Sequence, residues 1–324
     1  MRWYARKHGV ANALVLARGC SVGPVARGQA STFSICGLDP ETGEIGVAVQ
    51  SKYFAVGSVV SWARGGVGAV ATQAAGIAGY GPRLLALLAT GSAPDEAIRL
   101  VLEDDPGRET RQLGVVAADG RSASFTGSVC NAWAGHETGP NVAAQGNILA
   151  GPDVVADMVE AFRSGAGTLA ERLVAGLEAA QAAGGDVRGQ QSAAVYVERP
   201  GAGEETGELI DRVVDLRVDD HPEPIAELRR LLEIQLRWDF LRRASGRREA
   251  GRPEDGAEVL AQGLRRYPDD ATILYDLGCY ESLAGRLDDA LAHVRRALEL
   301  DGSLRPLAAA DSDLDALRER GDSF

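Results

Sequence analysis

Thr32-Phe-Ser-Ile-Cys-Gly-Leu38 and, after a turn, Ile45-Gly-Val-Ala-Val-Gln-Ser-Lys52 decide how this chain folds. Phe33 and Ile35 alternate with Ser34 and Cys36 at the two-residue period of a half-buried strand, and Ile45, Val47 and Val49 alternate again. Asp39-Pro-Glu-Thr-Gly-Glu44 between them is built of turn residues, so the two runs make a hairpin. That hairpin puts a hydroxyl residue, Thr32, at the head of its first strand. A hydroxyl is a poor nucleophile until a base sits beside it, and an N-terminal Thr carries its own base in its α-amine. Thr is also a favoured strand residue, so position alone leaves both readings open.

Working outward, Val56 to Trp62 and Gly66 to Gln73 read as two further strands. Gly66-Val-Gly-Ala-Val-Ala71 has the form of a dinucleotide fingerprint, but that fingerprint needs a helix opening at its end, and Thr72 to Gly79 is a poor helix start. Helical spacing begins at Pro82 with Leu84, Leu85, Leu87 and Leu88. A second helix carrying Ile98, Leu100, Val101 and Leu102 follows a Ser92/Asp95 capping box. Gln112 to Ala117 and Ser122 to Thr126 flank Asp119-Gly120, a strong hairpin signal. Pro152 to Phe162 and Thr168 to Ala183 predict another helix pair, and Ser192 to Val197 and Val213 to Val218 the last strands. Strands and helices arriving in blocks predict an α+β fold, antiparallel sheets layered with helix pairs, over residues 32–222.

Past His221-Pro-Glu-Pro224 the composition changes to helix formers and arginine, which predicts a second, all-α domain over 225–324. Ala250-Gly-Arg-Pro-Glu-Asp and Ala284-Gly-Arg-Leu-Asp-Asp are offset by 34, the tetratricopeptide period, and Leu304 to Arg318 would cap the array. Small residues recur at that offset, Gly256 with Ala290 and Gly263 with Ala297, where paired helices need to approach closely. Two repeats are fewer than usually stand alone, so this unit is expected to lean on the first domain or on another subunit. It either binds a peptide or protein partner or serves as a stabilising appendage. The arginines from Arg229 to Arg248 read as a solvated helix face paired with nearby acids.

At 324 residues with 45% hydrophobic side chains, there is ample chain for two cores. The net charge of -12 repels phosphate backbones and argues against nucleic acid as a partner. No run of about 18 apolar residues exists, so no membrane span is expected. Cys20, Cys36, Cys130 and Cys279 have no paired spacing, which favours reduced thiols and a cytoplasmic protein. Cys130 and His136 fall short of a ligand set, so neither a metal nor another cofactor is expected. Residues 1–31 faintly imitate a secretory signal and read as a removable leader or an extension beyond the true start.

Thr32-Phe-Ser-Ile, Ser51-Lys-Tyr-Phe-Ala-Val-Gly57, Gly66 to Gln73, Arg111-Gln112, Gln145-Gly-Asn147 and Gly184-Gly-Asp-Val-Arg-Gly-Gln-Gln-Ser192 together resemble the bacterial family known as domain of unknown function 1028. The resemblance covers about residues 32–222. It implies the fold of the N-terminal-nucleophile (Ntn) hydrolases, a four-layer αββα sandwich, more firmly than it implies a reaction. Carried onto this chain, it makes Thr32 the nucleophile and its freed amine the base. Lys52 would lower the amine pKa or steady developing charge, and Ser51 would orient the amine. Gln73 and Asn147 would offer amide donors to an oxyanion. Asp186 and Arg188 would hold a substrate's amine and carboxylate or, alternatively, brace their loop as an ion pair. Arg111 and His136 are weaker candidates.

One departure matters: in the family the Thr commonly follows the initiator Met, whereas 31 residues precede Thr32 here. The expectation is an amide-bond hydrolase acting on a small amide or peptide-like substrate. The alternative is a non-catalytic Ntn-fold scaffold or assembly protein that binds partners through its repeats. Edge strands and an incomplete repeat array predict self-association into a homo-oligomer.

Overall fold

The structure is a computed structural model that describes residues 32–206 and 209–324. The proposed leader, and Cys20 with it, lie outside the described residues. The first hairpin forms as expected: β1 (Thr32–Leu38) pairs antiparallel with β2 (Ile45–Ser51), setting Thr32 opposite Ser51. Then come α1 (Gly57–Val60), β3 (Ser61–Arg64), β4 (Gly68–Ala74), α2 (Tyr80–Ala89) and α3 (Pro94–Leu102). Four strands follow, β5 (Arg111–Ala117), β6 (Ser122–Thr126), β7 (Gly135–Gly139) and β8 (Val142–Asn147). A helix pair, α4 (Asp153–Ser164) and α5 (Leu169–Ala182), precedes β9 (Ser192–Glu198), α6 (Ala202–Thr206) and β10 (Arg212–Val218).

These strands make two wholly antiparallel sheets, a six-stranded one in the order β10-β9-β2-β1-β8-β7 and a four-stranded one in the order β3-β4-β5-β6. The alternation read in β1 sorts its side chains between two cores. Phe33 and Ile35 pack with Met158, Phe162, Leu173 and Leu177 of α4 and α5. Cys36 and Leu38 point the other way, with Val47, Val49, Ala69, Ala71 and Val116, into the seam between the sheets. The four-stranded sheet turns Val70, Leu113 and Val115 toward Leu84, Leu88, Ile98 and Val101 of α2 and α3. Burying a side chain of this size contributes on the order of 2 kcal/mol, so each face is fixed by several such terms and a one-residue slip would expose all of them.

Several elements differ from the sequence reading. Val56–Trp62 is not one strand. Val56 N–H donates to the Ser192 hydroxyl (3.0 Å), and the run turns through α1 before β3 begins. An apolar run of that length does not distinguish helix from strand by periodicity. The Ser92/Asp95 capping box does not form, because Pro94 stands at the first helical turn and makes Ala93 the N-cap. Strands β7 and β8 were not foreseen, so the described residues hold ten strands in place of the expected eight. Thr168, in contrast, caps α5 through a full capping box with Glu171.

Beyond them the chain is helical: α7 (Pro224–Glu249), α8 (Pro253–Arg266), α9 (Ala271–Leu283), α10 (Leu287–Leu300), α11 (Arg305–Ala310) and α12 (Asp315–Arg320). The expected single capping helix is two short ones, because Pro306 starts α11 and the Asp311 carboxylate, accepting from Asp313 N–H (3.0 Å), turns the chain. Helices α8 and α10 stand 34 residues apart, each preceded by a left-handed glycine, Gly251 at φ +74° and Gly285 at φ +76°. The arginines of α7 are largely paired with acids, Arg229 with Glu178 and Arg237 with Asp270 among them. No helix among the described residues is long and apolar enough to cross a membrane.

Candidate active site

Register gathers the candidate residues at one end of the two sheets. Thr32 begins β1, the central strand, with Ser51 ending β2 on one side and Asn147 ending β8 on the other. Gln73, near the end of β4 in the facing sheet, lies opposite Gln112 of β5. The Thr32 hydroxyl is 3.1 Å from the Ser51 hydroxyl. Thr32 also lines a cleft of about 390 Å³ whose walls include Tyr53, Val56, Gln73, Gly76 and Arg111. The backbone around this end is strained: Ala55 (φ +51°), Ala74 (φ +65°) and Ile148 (φ +55°) are three of the five left-handed non-glycine residues described. Strain of this kind costs on the order of 1 kcal/mol per residue and gathers where geometry is held for a purpose.

Behind the hydroxyl pair runs a buried chain of amides. Gln73 Nε2 donates to the Thr32 carbonyl (3.2 Å) and to Gln112 Oε1 (2.8 Å), while its Oε1 accepts the Ser34 hydroxyl (2.6 Å). Gln145 Nε2 donates to the Ser34 carbonyl and hydroxyl (3.1 and 2.7 Å). Asn147 Nδ2 donates to Gln112 Oε1 (2.9 Å), and Gln112 Nε2 reaches the Gly146 carbonyl (2.8 Å). Gln73 and Asn147 are therefore engaged in positioning the head of β1. Gln112 is the hub of the network, and Gln112, Ser34 and Gln145 were missed as site residues. Their signal was polar residues at the inward positions of otherwise apolar strands. The sheets approach so closely here that a Cβ on Gly114 would sit 1.8 Å from Gln145 Oε1, so a larger residue would displace the Gln145 amide.

The other candidates fall to the side of the hydroxyl pair. The Lys52 ammonium is exposed and donates to the Gln190 carbonyl (3.0 Å), while its backbone N–H donates to Asp186 (3.1 Å). The buried Asp186 carboxylate also accepts from Arg188 N–H (2.8 Å) and pairs with its guanidinium (3.1 Å). Asp186 thus ties its loop to the end of β2. Ser192 pins the neighbouring loop, donating to the Tyr53 carbonyl (2.5 Å). His136 lies off the cleft against Thr126 (2.9 Å), and burial pushes its pKa down, so it is neutral at pH 7. Burial pushes the Cys36 thiol pKa far up, which makes that thiol inert packing.

Arg111 does stand on the cleft. Its Nε and Nη2 grip Asp105 (2.8 and 3.2 Å), and its Nη1 donates to the Ala75 carbonyl. Asp105 also accepts the Tyr80 hydroxyl (2.7 Å) and Gly107 N–H (2.8 Å). The hydrogen bonds from Arg111 and Tyr80 hold its carboxyl well below the usual range, so both partners are charged. A second cavity of about 390 Å³ lies beside α7, lined by Arg199, Arg212, Arg242 and Arg243 with Glu44 and Asp239. Its lining is dominated by these charged side chains, with Thr42 and Thr168 also on its wall, whereas Thr32 lies on the first cleft. Among the described residues, Cys279, Asp311 and Asp313 are close enough to hold a cation. Arg248 already grips Asp313, and the Tyr275 hydroxyl donates to Asp311 (2.8 Å), so the cluster reads as an ion-pair knot.

Comparison with known proteins adds a family and no reaction. A family model described as "Family of unknown function (DUF1028)" matches residues 32–228. The crystal structure of a protein from Silicibacter pomeroyi, itself described as family-model DUF1028, is 36% identical, with a TM-score of 0.57, over 63% of this chain and 88% of that one. No curated protein matches the chain.

Proposed function

Since the chain belongs to the DUF1028 family of unknown function, its chemistry has to be argued from the Thr32 cleft, and we propose an amide-bond hydrolase of the Ntn type acting on a small amide or peptide-like substrate. The observation that carries this reading is the place of Thr32: buried at the head of the central strand, it borders a cleft, and its hydroxyl lies beside that of Ser51. On this reading the three cores of the first 222 residues are the seams of a four-layer αββα sandwich. The C-terminal helices are then a tetratricopeptide-like pair of repeats.

The steps follow from the groups present. Once residues 1–31 are removed, the Thr32 amine accepts the hydroxyl proton, and the hydroxyl oxygen bonds to the substrate carbonyl carbon. Ser51 orients that hydroxyl. We assign the oxyanion to the Gly76 N–H, which lines the cleft and has no acceptor among the described residues. The protonated amine returns its proton to the leaving nitrogen as the C–N bond breaks. Water, deprotonated by the same amine, then cleaves the Thr32 ester and regenerates the hydroxyl. Gln73 and Asn147 serve by holding the reacting residue in register, since their amides are engaged with its carbonyl and with Gln112. Lys52 acts from outside the hydroxyl pair, bracing the 186–190 loop.

Intact-mass measurement of the purified protein tests the first requirement. A species beginning at Thr32 that is acylated there by an amine-dependent electrophile is expected, and Thr32→Ala should abolish the labelling. A stable chain still carrying the upstream residues and inert to the electrophile would leave the scaffold reading in its place.

A further inference from the structure

We propose that Arg111 is the carboxylate anchor of the Thr32 cleft, so that its ligands are small acyl or peptide-like molecules with a free carboxylate and a compact apolar body. The proposal rests on reading that cleft as a substrate site and adds the chemical class of the substrate. The first ground is charge. Of the residues lining the cleft, Arg111 is the one with an ionised side chain; the others are apolar, hydroxyl or amide groups. Asp105 neutralises Arg111 from outside the lining, so a preference for an anion comes from the guanidinium on the cleft wall and not from net charge. That preference is set against a chain of net charge -12, so the overall field does not supply it.

The second ground is the hydrogen-bond inventory. A guanidinium has five N–H groups. Arg111 directs three of them to Asp105 and the Ala75 carbonyl, through Nε, Nη2 and Nη1, and the Tyr80 hydroxyl stands against the same guanidinium. Asp105 is itself held in place by the Tyr80 hydroxyl and by Gly107 N–H. The ion pair therefore fixes the guanidinium plane at the cleft wall. Preorganisation of this kind is what a carboxylate fork requires and what a freely rotating surface arginine lacks.

The third ground is shape. Val56, Val59 and Val60 on one side and Ala74, Ala75 and Ala78 on the other give walls without hydrogen-bonding side chains. These suit an aliphatic substituent held between the hydroxyl of Thr32 and the guanidinium of Arg111. A cleft of about 390 Å³ lies toward the lower end of ligand-pocket sizes, which suits a single acylated amino acid or a dipeptide.

Calorimetric titration of the full chain with N-acetylvaline and with its neutral isostere N-acetylvalinamide tests this directly. The acid is expected to bind at least about tenfold more tightly, with the preference shrinking as salt is raised. Arg111→Gln, checked for native circular dichroism, should erase the preference. The native-protein comparison stands on its own if that variant does not fold. Equal affinity of acid and amide, no saturable binding of the acid at millimolar concentration, or a preference that survives in folded Arg111→Gln overturns the proposal. Binding needs neither cleavage nor a free Thr32 amine, so the two failures separate. A carboxylate preference without Thr32 labelling removes the hydrolase and keeps the anchor, and labelling without the preference does the reverse.

Discussion

Gln112 shows how much of this site depends on a residue that carries no chemistry. Its carbonyl oxygen accepts from Gln73 and Asn147, and its amide reaches Thr126 (3.0 Å), Gly135 (3.1 Å) and Gly146 (2.8 Å). Truncation to alanine would take an acceptor from the buried Gln73 and Asn147 amides and a donor from the Gly146 carbonyl. An unsatisfied buried group costs about 1–3 kcal/mol, so Gln112→Ala should lower stability by roughly 2–4 kcal/mol in urea denaturation, with Gln112→Glu intermediate. A loss of less than about 0.5 kcal/mol would mean that the network relaxes around the gap and positions nothing. At this scale the sequence is legible where a residue's neighbours in sequence tell its direction. Thr32 could be singled out because the strand it heads alternates, whereas Ser51 and Gln73 are reached through the family resemblance. Gln112 and Gln145 could not be given roles that way. Their partners sit on strands of the facing sheet, and only the closure of the two sheets reveals that a polar residue between apolar ones points at another polar residue.

Elements were legible in proportion to how much of their own stability they carry. β1, β2, β5, β6 and the helices α4 and α5 have their own periodicity, turn residues and caps, and they lie where the sequence places them. β7 and β8, Gly-His-Glu-Thr-Gly and Val-Ala-Ala-Gln-Gly-Asn, are too small and polar to look like strands. They are held by register against β1 and by packing beneath the other sheet, which is tertiary information. The pair α9 and α10 carries a titratable contact of its own. His293 Nδ1 lies 2.7 Å from the buried Glu281 carboxylate, with Arg286 at 4.0 Å from the same group. That hydrogen bond raises the His293 pKa above its ordinary value of 6.5 against opposing desolvation. A raised folded-state pKa stabilises fully below the unfolded value and is lost as pH climbs through the folded one. The C-terminal helices should therefore be more stable at pH 6 than at pH 8, followed by denaturant unfolding at each pH. His293→Gln should flatten the difference, and an unchanged pH dependence in that variant would assign it to another group.

Across the whole molecule, α7 decides whether the chain behaves as one body. It is a single helix of 26 residues that serves two cores. Ile225, Leu228 and Leu232 are buried with the strands and with α5, and Leu241 and Ala244 are buried with α8, α9 and α10. Arg266 adds ion pairs to Glu171 on α5 (2.7 Å) and Glu233 on α7 (3.3 Å), and Arg229 pairs with Glu178 (2.9 Å). Exposed pairs of this kind contribute at most about 1 kcal/mol each, so the coupling runs chiefly through the helix backbone and its two apolar faces. This explains how the C-terminal helices hold their place. Their first helix is continuous with one already anchored. The native chain is expected to unfold in one calorimetric transition. Gln235→Pro, placed between the two buried sets, removes a backbone hydrogen bond and clashes with the preceding turn, at a cost of about 3 kcal/mol in mid-helix. It should split the endotherm, with the C-terminal helices melting first and the sheets keeping close to their original midpoint. If the variant still melts in one step at the native temperature, α7 is not the coupling element, and the surface ion pairs must hold the two cores together.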